Sequence, residues 1–85
     1  MLREADLQTV TLAATSTAVG KLIRELELRT RTGASIVGIE RKSGPIINPG
    51  PDEELQREDQ LLLLGTPPQL TEARRLFEAG GTEKS

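Results

Sequence analysis

Arg41-Lys-Ser-Gly-Pro-Ile-Ile-Asn-Pro-Gly-Pro-Asp52 is the most informative stretch of this sequence, together with the apolar run Leu61-Leu-Leu-Leu64 that follows it. Proline fixes its own backbone torsion and cannot donate to a sheet ladder. Segment 45–48 is therefore predicted to be a short strand at a sheet edge, and segment 49–52 a stiff loop. Segment 60–65 is too short for a helix of its own and ends at a glycine, which predicts a buried strand.

Upstream of this stretch, the spacing of apolar residues predicts two strands and a helix. Segment 7–14 alternates apolar and polar side chains with a period of two, which is typical of a strand. In segment 18–28, apolar residues recur at i, i+3, i+4 and i+7, which indicates one face of a helix. The hydroxyl residues 15–17 are expected to cap its start, and segment 29–33 to end it. Alternation then resumes over segment 34–41, a second strand.

The second strand is apolar on both faces. Alternation places Val37 and Ile39 on one side, and Ile36 and Gly38 on the other. In so small a domain, we expect the core to cover one face and a second copy of the chain to cover the other. The predicted dimer interface consists of Ile36, Val37 and Ile39.

The last predicted element is a helix over segment 67–79. Thr66, Pro67 and Gln69 provide an N-cap, a proline at the first helical position and a capping-box partner. The order of elements is then β-α-β-β-β-α. This order predicts a single α+β domain with a mainly antiparallel sheet and helices packed on one side. Its boundaries are a lead segment 1–6, the domain 7–79 and a flexible tail 80–85.

Composition argues against several classes of function. The chain has 85 residues, enough for one domain, and contains neither Cys nor His, which removes thiolate chemistry and the commonest metal ligands. Its net charge of −2, with both signs interspersed, argues against nucleic acid and against an anionic membrane surface as direct partners. No apolar run approaches the roughly 20 residues that cross a bilayer. We expect a cytoplasmic, non-enzymatic domain without a metal or cofactor.

An acidic loop precedes the last strand and invites comparison with a cation site. Carboxylate oxygens are the ligands that Ca²⁺ and Mg²⁺ prefer, but the spacing matches no EF-hand loop. We expect a solvated loop instead, in which Asp59 accepts hydrogen bonds from backbone amides at a turn. The acidic residues are Asp52, Glu53, Glu54, Glu58 and Asp59.

Several pieces of the sequence follow one another in a recognisable order: Val19-Gly-Lys-Leu-Ile-Arg-Glu-Leu26 with Leu28-Arg29, Gly33-Ala-Ser-Ile-Val-Gly-Ile-Glu-Arg41, Ile47-Asn-Pro49 with Pro51-Asp52 and Leu55, and finally Asp59 and Gly65. In this order, they resemble the C-terminal module of the regulator-of-potassium-conductance family, the TrkA-C domain. One departure from the family pattern concerns Glu58, where the family usually has Gly before the Asp that opens the last strand; a positive φ there would cost a non-Gly residue roughly 1 kcal/mol. The Gly-rich loop of the family's Rossmann-like N-terminal half does not occur in this sequence.

The resemblance implies a homodimeric regulatory module of a membrane-embedded potassium transporter or cation/proton antiporter. Family members that bind cyclic di-AMP hold it between two modules, near the end of the second strand and the short strand after it. That region of this sequence holds Ile36, Arg41, Ile47, Asn48 and Pro49. Arg41 has the forked donors that suit a phosphate, Asn48 suits a base edge, and the three apolar residues suit a purine.

Simpler interpretations stay open. Arg41 also fits a solvated residue at a hairpin end, and Asn48 fits a side chain bonded to its own turn. The same domain without a ligand would be a purely structural dimerisation module. An amino-acid-binding module of the ACT type is a further alternative, and its β-α-β-β-α-β order would replace the helix predicted over segment 67–79.

Overall fold

Residues 5–78 are described by a computed structural model, and their strands pair in the order β1-β4-β2-β3, with every pairing antiparallel. The longest helix contacts β1 and β4, so the helical layer covers one face of the sheet. This arrangement confirms the predicted α+β fold. In chain order the elements are β1 (Asp6–Thr11), α1 (Ile23–Leu26), α2 (Leu28–Thr32), β2 (Ser35–Glu40), β3 (Ile46–Ile47), β4 (Gln60–Gly65) and α3 (Pro67–Glu78).

Strand β4 is the centre of the core because it lies between β1 and β2. Leu61 and Leu63 are fully buried under the helices, whereas Leu62 and Leu64 are half-buried on the opposite face. Each fully buried Leu or Ile stabilises the fold by roughly 1.5–3 kcal/mol. The core consists of Val10, Leu12, Ala18, Leu26, Leu28, Ala34, Ile39, Leu55, Leu61, Leu63, Leu70, Ala73 and Phe77.

Side-chain hydrogen bonds hold both described ends of α3. The Thr66 amide donates to Gln69 Oε1 at 2.9 Å and the Gln69 amide to Thr66 Oγ1 at 3.4 Å, which confirms the predicted capping box. At the other end, the buried Ser16 hydroxyl donates to the Phe77 carbonyl at 2.8 Å. Because α3 is a helix, the ACT order of elements is wrong for this chain. The predicted end at Ala79 and the predicted tail 80–85 lie outside the described residues.

The single helix predicted over residues 18–28 is wrong. Residues 14–15 and 17–20 form turns, and two short helices follow that are separated at Glu27, whose φ of 50° is left-handed. The segment predicted to end the helix is itself α2, which stops at Gly33 with a φ of 87°. Only glycine adopts that region without strain.

The proline-rich loop explains why the helix does not start earlier. The amides of Ile23 and Arg24 donate to the carbonyls of Glu53 and Pro51 at 3.0 and 2.9 Å. Further back, the Leu55 amide donates to the Lys21 carbonyl at 2.9 Å. These tertiary bonds use backbone groups that a continuous helix would need, so the loop is joined to the start of α1.

A β-bulge in β2 corrects the predicted face assignment. Ile36 pairs with Leu63 but Gly38 pairs with Leu62, so Val37 is an extra residue in the ladder. The bulge places Ile36 and Ile39 on the same, core-facing side. Ile39 is only 1% exposed, so its assignment to a dimer interface is wrong.

Glu58 has a φ of 69°, the positive value suspected from the family pattern. We therefore expect Glu58→Gly to raise the free energy of unfolding by about 1 kcal/mol, since glycine relieves the strain of a left-handed residue. Urea unfolding followed by circular dichroism measures this. The matched control, Glu58→Ala, removes the same charge but keeps Cβ. A Gly variant no more stable than the Ala variant would contradict the explanation.

Candidate functional site

An open groove of about 460 Å³ lies between the α1–α2 pair on one side and β2 with the turn after β3 on the other. We call it the β2 groove. Two guanidinium groups and one carboxylate stand among its otherwise uncharged lining. The lining residues are Ile23, Arg24, Glu27, Leu28, Arg29, Thr30, Ser35, Ile36, Val37, Asn48, Pro49 and Pro51.

The turn after β3 shapes one wall of the groove. Asn48 has a left-handed φ of 50°, a conformation that Asn tolerates better than most residues. Its backbone amide donates to the Val37 carbonyl at 3.0 Å, which fixes the turn to the bulge of β2. Pro49 and Pro51 then follow with restricted backbones. The bulge and the turn together hold a polar Asn beside an apolar wall.

Three of the five predicted ligand residues meet in this groove, namely Ile36, Asn48 and Pro49. Ile47 does not: it opposes Gly38 on the sheet face away from the helices and is 74% exposed. There it borders a second, smaller depression of about 240 Å³ together with Val37. The predicted set is therefore divided between the two faces of the sheet, and Val37 borders both.

Arg41 is not part of the groove, which corrects its predicted role as a phosphate ligand. Its Nε and Nη2 atoms donate to the two carboxylate oxygens of Asp59 at 2.9 and 2.8 Å. Its Nη1 donates to Glu53 at 3.1 Å, and Nη2 also reaches the Glu54 carbonyl at 3.1 Å. The alternative of a solvated arginine is wrong as well. Arg41 ties the acidic loop to the end of β2.

The ion pair of Arg41 with Asp59 is almost completely buried, with the Asp59 side chain only 1% exposed. Burial of the Asp59 carboxylate favours its neutral form, but hydrogen bonds from Arg41 and from the Gln56 amide outweigh burial and lower the pKa of Asp59. A hydrogen bond to Asp59 from a backbone amide at a turn was predicted, and the Gln56 amide donates it at 2.9 Å. A lowered carboxyl pKa stabilises the fold above the unfolded-state pKa, and that contribution is lost as the pH falls through the lowered value.

Most carboxylates of the acidic loop that was compared with a cation site form ion pairs with arginines. Glu53 and Asp59 bind Arg41, while Asp52 pairs with Arg24 at 2.8 Å. Residues 5–78 contain no group of three or more carboxylates placed to hold a metal ion. The loop is solvated at Asp52, Glu54 and Glu58 but not at Asp59, which the sequence did not reveal.

The sequence interpretation missed the helical wall of the groove. Arg24, Glu27 and Arg29 line it from α1 and α2. A continuous helix over residues 18–28 leaves Arg24 and Glu27 opposite the apolar face as solvated charges, and it leaves Arg29 in the segment that was expected to end the helix. The signal that could have found them is the Leu28-Arg29 end of the family-like string, which lies where the second helix begins.

The sequence of this chain matches a known domain family. The sequence model of the TrkA-C domain matches residues 7–78, which is most of the chain. The chain belongs to the TrkA-C domain family. Among curated proteins, no relative matches significantly. In residues 5–78 of this TrkA-C domain, no helix has the length and apolar character needed to cross a membrane.

Solved structures similar to this TrkA-C domain include ligand complexes. The dimer of the RCK C-terminal domain of S. agalactiae BusR with c-di-AMP has a TM-score of 0.76 and 28% identity, covering 84% of this chain and 93% of that one. The RCK C domain of the potassium transport protein KtrA with c-di-AMP has a TM-score of 0.75 and 28% identity, covering 85% and 82%. The RCK domain of GsuK has a TM-score of 0.76 and 30% identity, covering 91% and 17%.

The longer relatives carry much more than this domain. Our chain spans 17% of the GsuK chain and 34% of the BusR chain that was solved with its busAB-promotor DNA. Because BusR, which contains a similar domain, was solved in complex with promotor DNA, the predicted exclusion of nucleic acid as a partner of this chain stays a prediction.

Proposed function

We propose that this TrkA-C domain is a regulatory dimerisation and ligand-sensing module on the cytoplasmic side of a potassium transporter or cation/proton antiporter. Two copies pair along the β2 groove, and a cyclic dinucleotide such as cyclic di-AMP binds between them. Binding favours one arrangement of the dimer over another, which shifts the state of the attached transporter. The module itself carries out no catalysis.

The observation that carries the proposal is the β2 groove itself. It combines an apolar wall of Ile36 and Pro49, which suits a purine face, with the amide of Asn48, which offers a donor and an acceptor to a base edge. Guanidinium groups at its helical wall suit phosphates. The similar domains of BusR and KtrA were solved with c-di-AMP, which supports the choice of ligand class.

A purely structural dimerisation module is the second candidate, and the half-buried bulge residue Val37 is what favours it. Val37 borders cavities on both faces of the sheet. Its burial against another copy of the chain would stabilise a dimer even when no ligand is bound. The two functions differ in one measurable property, because only a ligand that binds the folded state raises its stability, by RT ln(1 + [L]/Kd).

Titration calorimetry of the purified chain with cyclic di-AMP tests the proposal. We expect saturable heat with a stoichiometry near one nucleotide per two chains, and an increase in thermal midpoint over the same nucleotide concentrations. Linear AMP is the matched control, since it carries the same base without the cyclic two-phosphate backbone, and we expect weaker binding. No heat at micromolar protein with excess cyclic di-AMP, and no thermal shift, would leave only the structural role.

A further inference from the structure

We propose that Arg29 is the residue of the β2 groove that binds the phosphate of an anionic ligand. This inference rests on the proposed function and deepens it, because it assigns the charge recognition of the groove to the helical wall. It also replaces Arg41, the arginine that the sequence favoured for this role.

Arg41 is already engaged by acceptors of the acidic loop. All three nitrogen atoms of the Arg41 guanidinium donate to Asp59, Glu53 or the Glu54 carbonyl, and its side chain is only 13% exposed. Release of Arg41 would leave the Asp59 carboxylate buried without its partner, which is strongly unfavourable. A ligand phosphate could reach Arg41 only by breaking this buried ion pair, so Arg41 is not available as its ligand.

Two other arginines line the groove, and they differ in their neighbours. Arg24 donates from Nε to Asp52 at 2.8 Å, so a phosphate at Arg24 would compete with that carboxylate. Arg29 takes part in none of the ion pairs found within residues 5–78. Its guanidinium is exposed and keeps its donors for a ligand.

The backbone places Arg29 at the groove for a physical reason. The left-handed Glu27 turns the chain between α1 and α2, and Leu28 is then buried in the core. Arg29, next on α2, consequently lines the groove together with Thr30 and, across it, Asn48. Arg31 lies two positions further on the same helix and lines a different cleft, beside Lys21 and Leu76. The same helix therefore supplies a matched control.

Symmetry strengthens the assignment. A two-fold dimer presents every groove residue twice, once from each copy. Cyclic di-AMP carries two phosphates, so two Arg29 side chains would supply one forked donor for each phosphate. Glu27, the groove's one carboxylate within residues 5–78, lies close by in the chain and would discriminate against ligands with additional negative charge.

Calorimetric titration of cyclic di-AMP into Arg29→Gln, Arg29→Lys and Arg31→Gln tests the inference. We expect Arg29→Gln to weaken binding by about tenfold or more, because a hydrogen bond to a charged group contributes about 1.5–3 kcal/mol. The salt dependence of binding should fall as well. Arg29→Lys should retain part of the affinity, and Arg31→Gln, with the same change in charge, should bind like the wild type.

The outcomes separate this inference from the proposed function. Wild-type binding with an equal loss in Arg29→Gln and Arg31→Gln would show a general charge effect and would overturn the role of Arg29. Wild-type binding that Arg29→Gln leaves unchanged would also overturn it, while the proposed function would stand. A wild-type chain that binds no cyclic di-AMP would remove both. Circular dichroism of each variant confirms that the fold is retained, as expected for an exposed side chain.

Discussion

Replacement of Arg41 by Met is expected to lower the free energy of unfolding by about 3–5 kcal/mol, because it leaves a buried carboxylate without its partner. The Asp59 side chain is 1% exposed and receives two hydrogen bonds from Arg41. Met keeps much of the apolar stem, so the loss is chiefly electrostatic. A domain of this size has a total stability of only about 4–13 kcal/mol, so a large part of it would be lost.

Urea unfolding at neutral pH measures this effect, and Arg24→Met is its matched control. Arg24 forms an ion pair of similar length with Asp52, but their side chains are 59% and 82% exposed. An exposed pair contributes about 0–1 kcal/mol, so the control should change stability little. If both variants lost the same amount, the structural role that we assign to Arg41 would be wrong.

A second large effect is expected on the association of two copies of the chain. Val37→Asp is expected to convert the dimer into a folded monomer, because a charge at the bulge would be buried between two copies without a partner. Val37 is half-buried in the isolated chain and its backbone carbonyl, which binds Asn48, is unchanged by the substitution. Sedimentation velocity reports the mass, and far-UV circular dichroism reports the fold.

Two further variants control this experiment. Leu7→Asp introduces the same charge at a residue that is 58% exposed on β1, the strand at the other edge of the sheet from β3, and should leave the dimer intact. Ile39→Asp should unfold the chain, since it places the charge in the core. A Val37→Asp protein with the wild-type mass, or a monomer produced by Leu7→Asp instead, would show that the copies meet elsewhere.

Local signals in the sequence were enough to predict some elements of this fold. The capping box at Thr66 and Gln69, the stop at Gly65 and the short apolar run of β4 are all properties of neighbouring residues. The same holds for the turn at Asp59, whose carboxylate bonds an amide three residues earlier. Where local and tertiary preferences agree, the pattern of side chains is sufficient.

The errors all come from contacts between distant parts of the chain. The spacing of Leu22, Ile23 and Leu26 is helical, but carbonyls of the loop about 30 residues later bind the amides at the start of that segment. The bulge at Val37 depends on pairing with β4 and reverses the face of Ile39. Such tertiary contacts override the preference that the spacing of apolar residues indicates, and that spacing does not reveal the contacts.

The residues of the candidate site were likewise predictable only in part. Ile36, Asn48 and Pro49 follow the order of the family pattern and meet in the β2 groove. Arg41 also follows that pattern, but its partners Glu53 and Asp59 lie 12 and 18 residues away. Only the folded loop brings them to its guanidinium. The arginines of the helical wall became visible only when the break at Glu27 placed α2 beside the groove.

We propose that a second copy of this domain covers the β2 groove. Sedimentation equilibrium of the wild-type chain, with and without saturating cyclic di-AMP, tests it most directly. We predict a particle of twice the chain mass in both conditions, with tighter association when the nucleotide is present. A particle of one chain mass at high protein concentration in both conditions would contradict the claim.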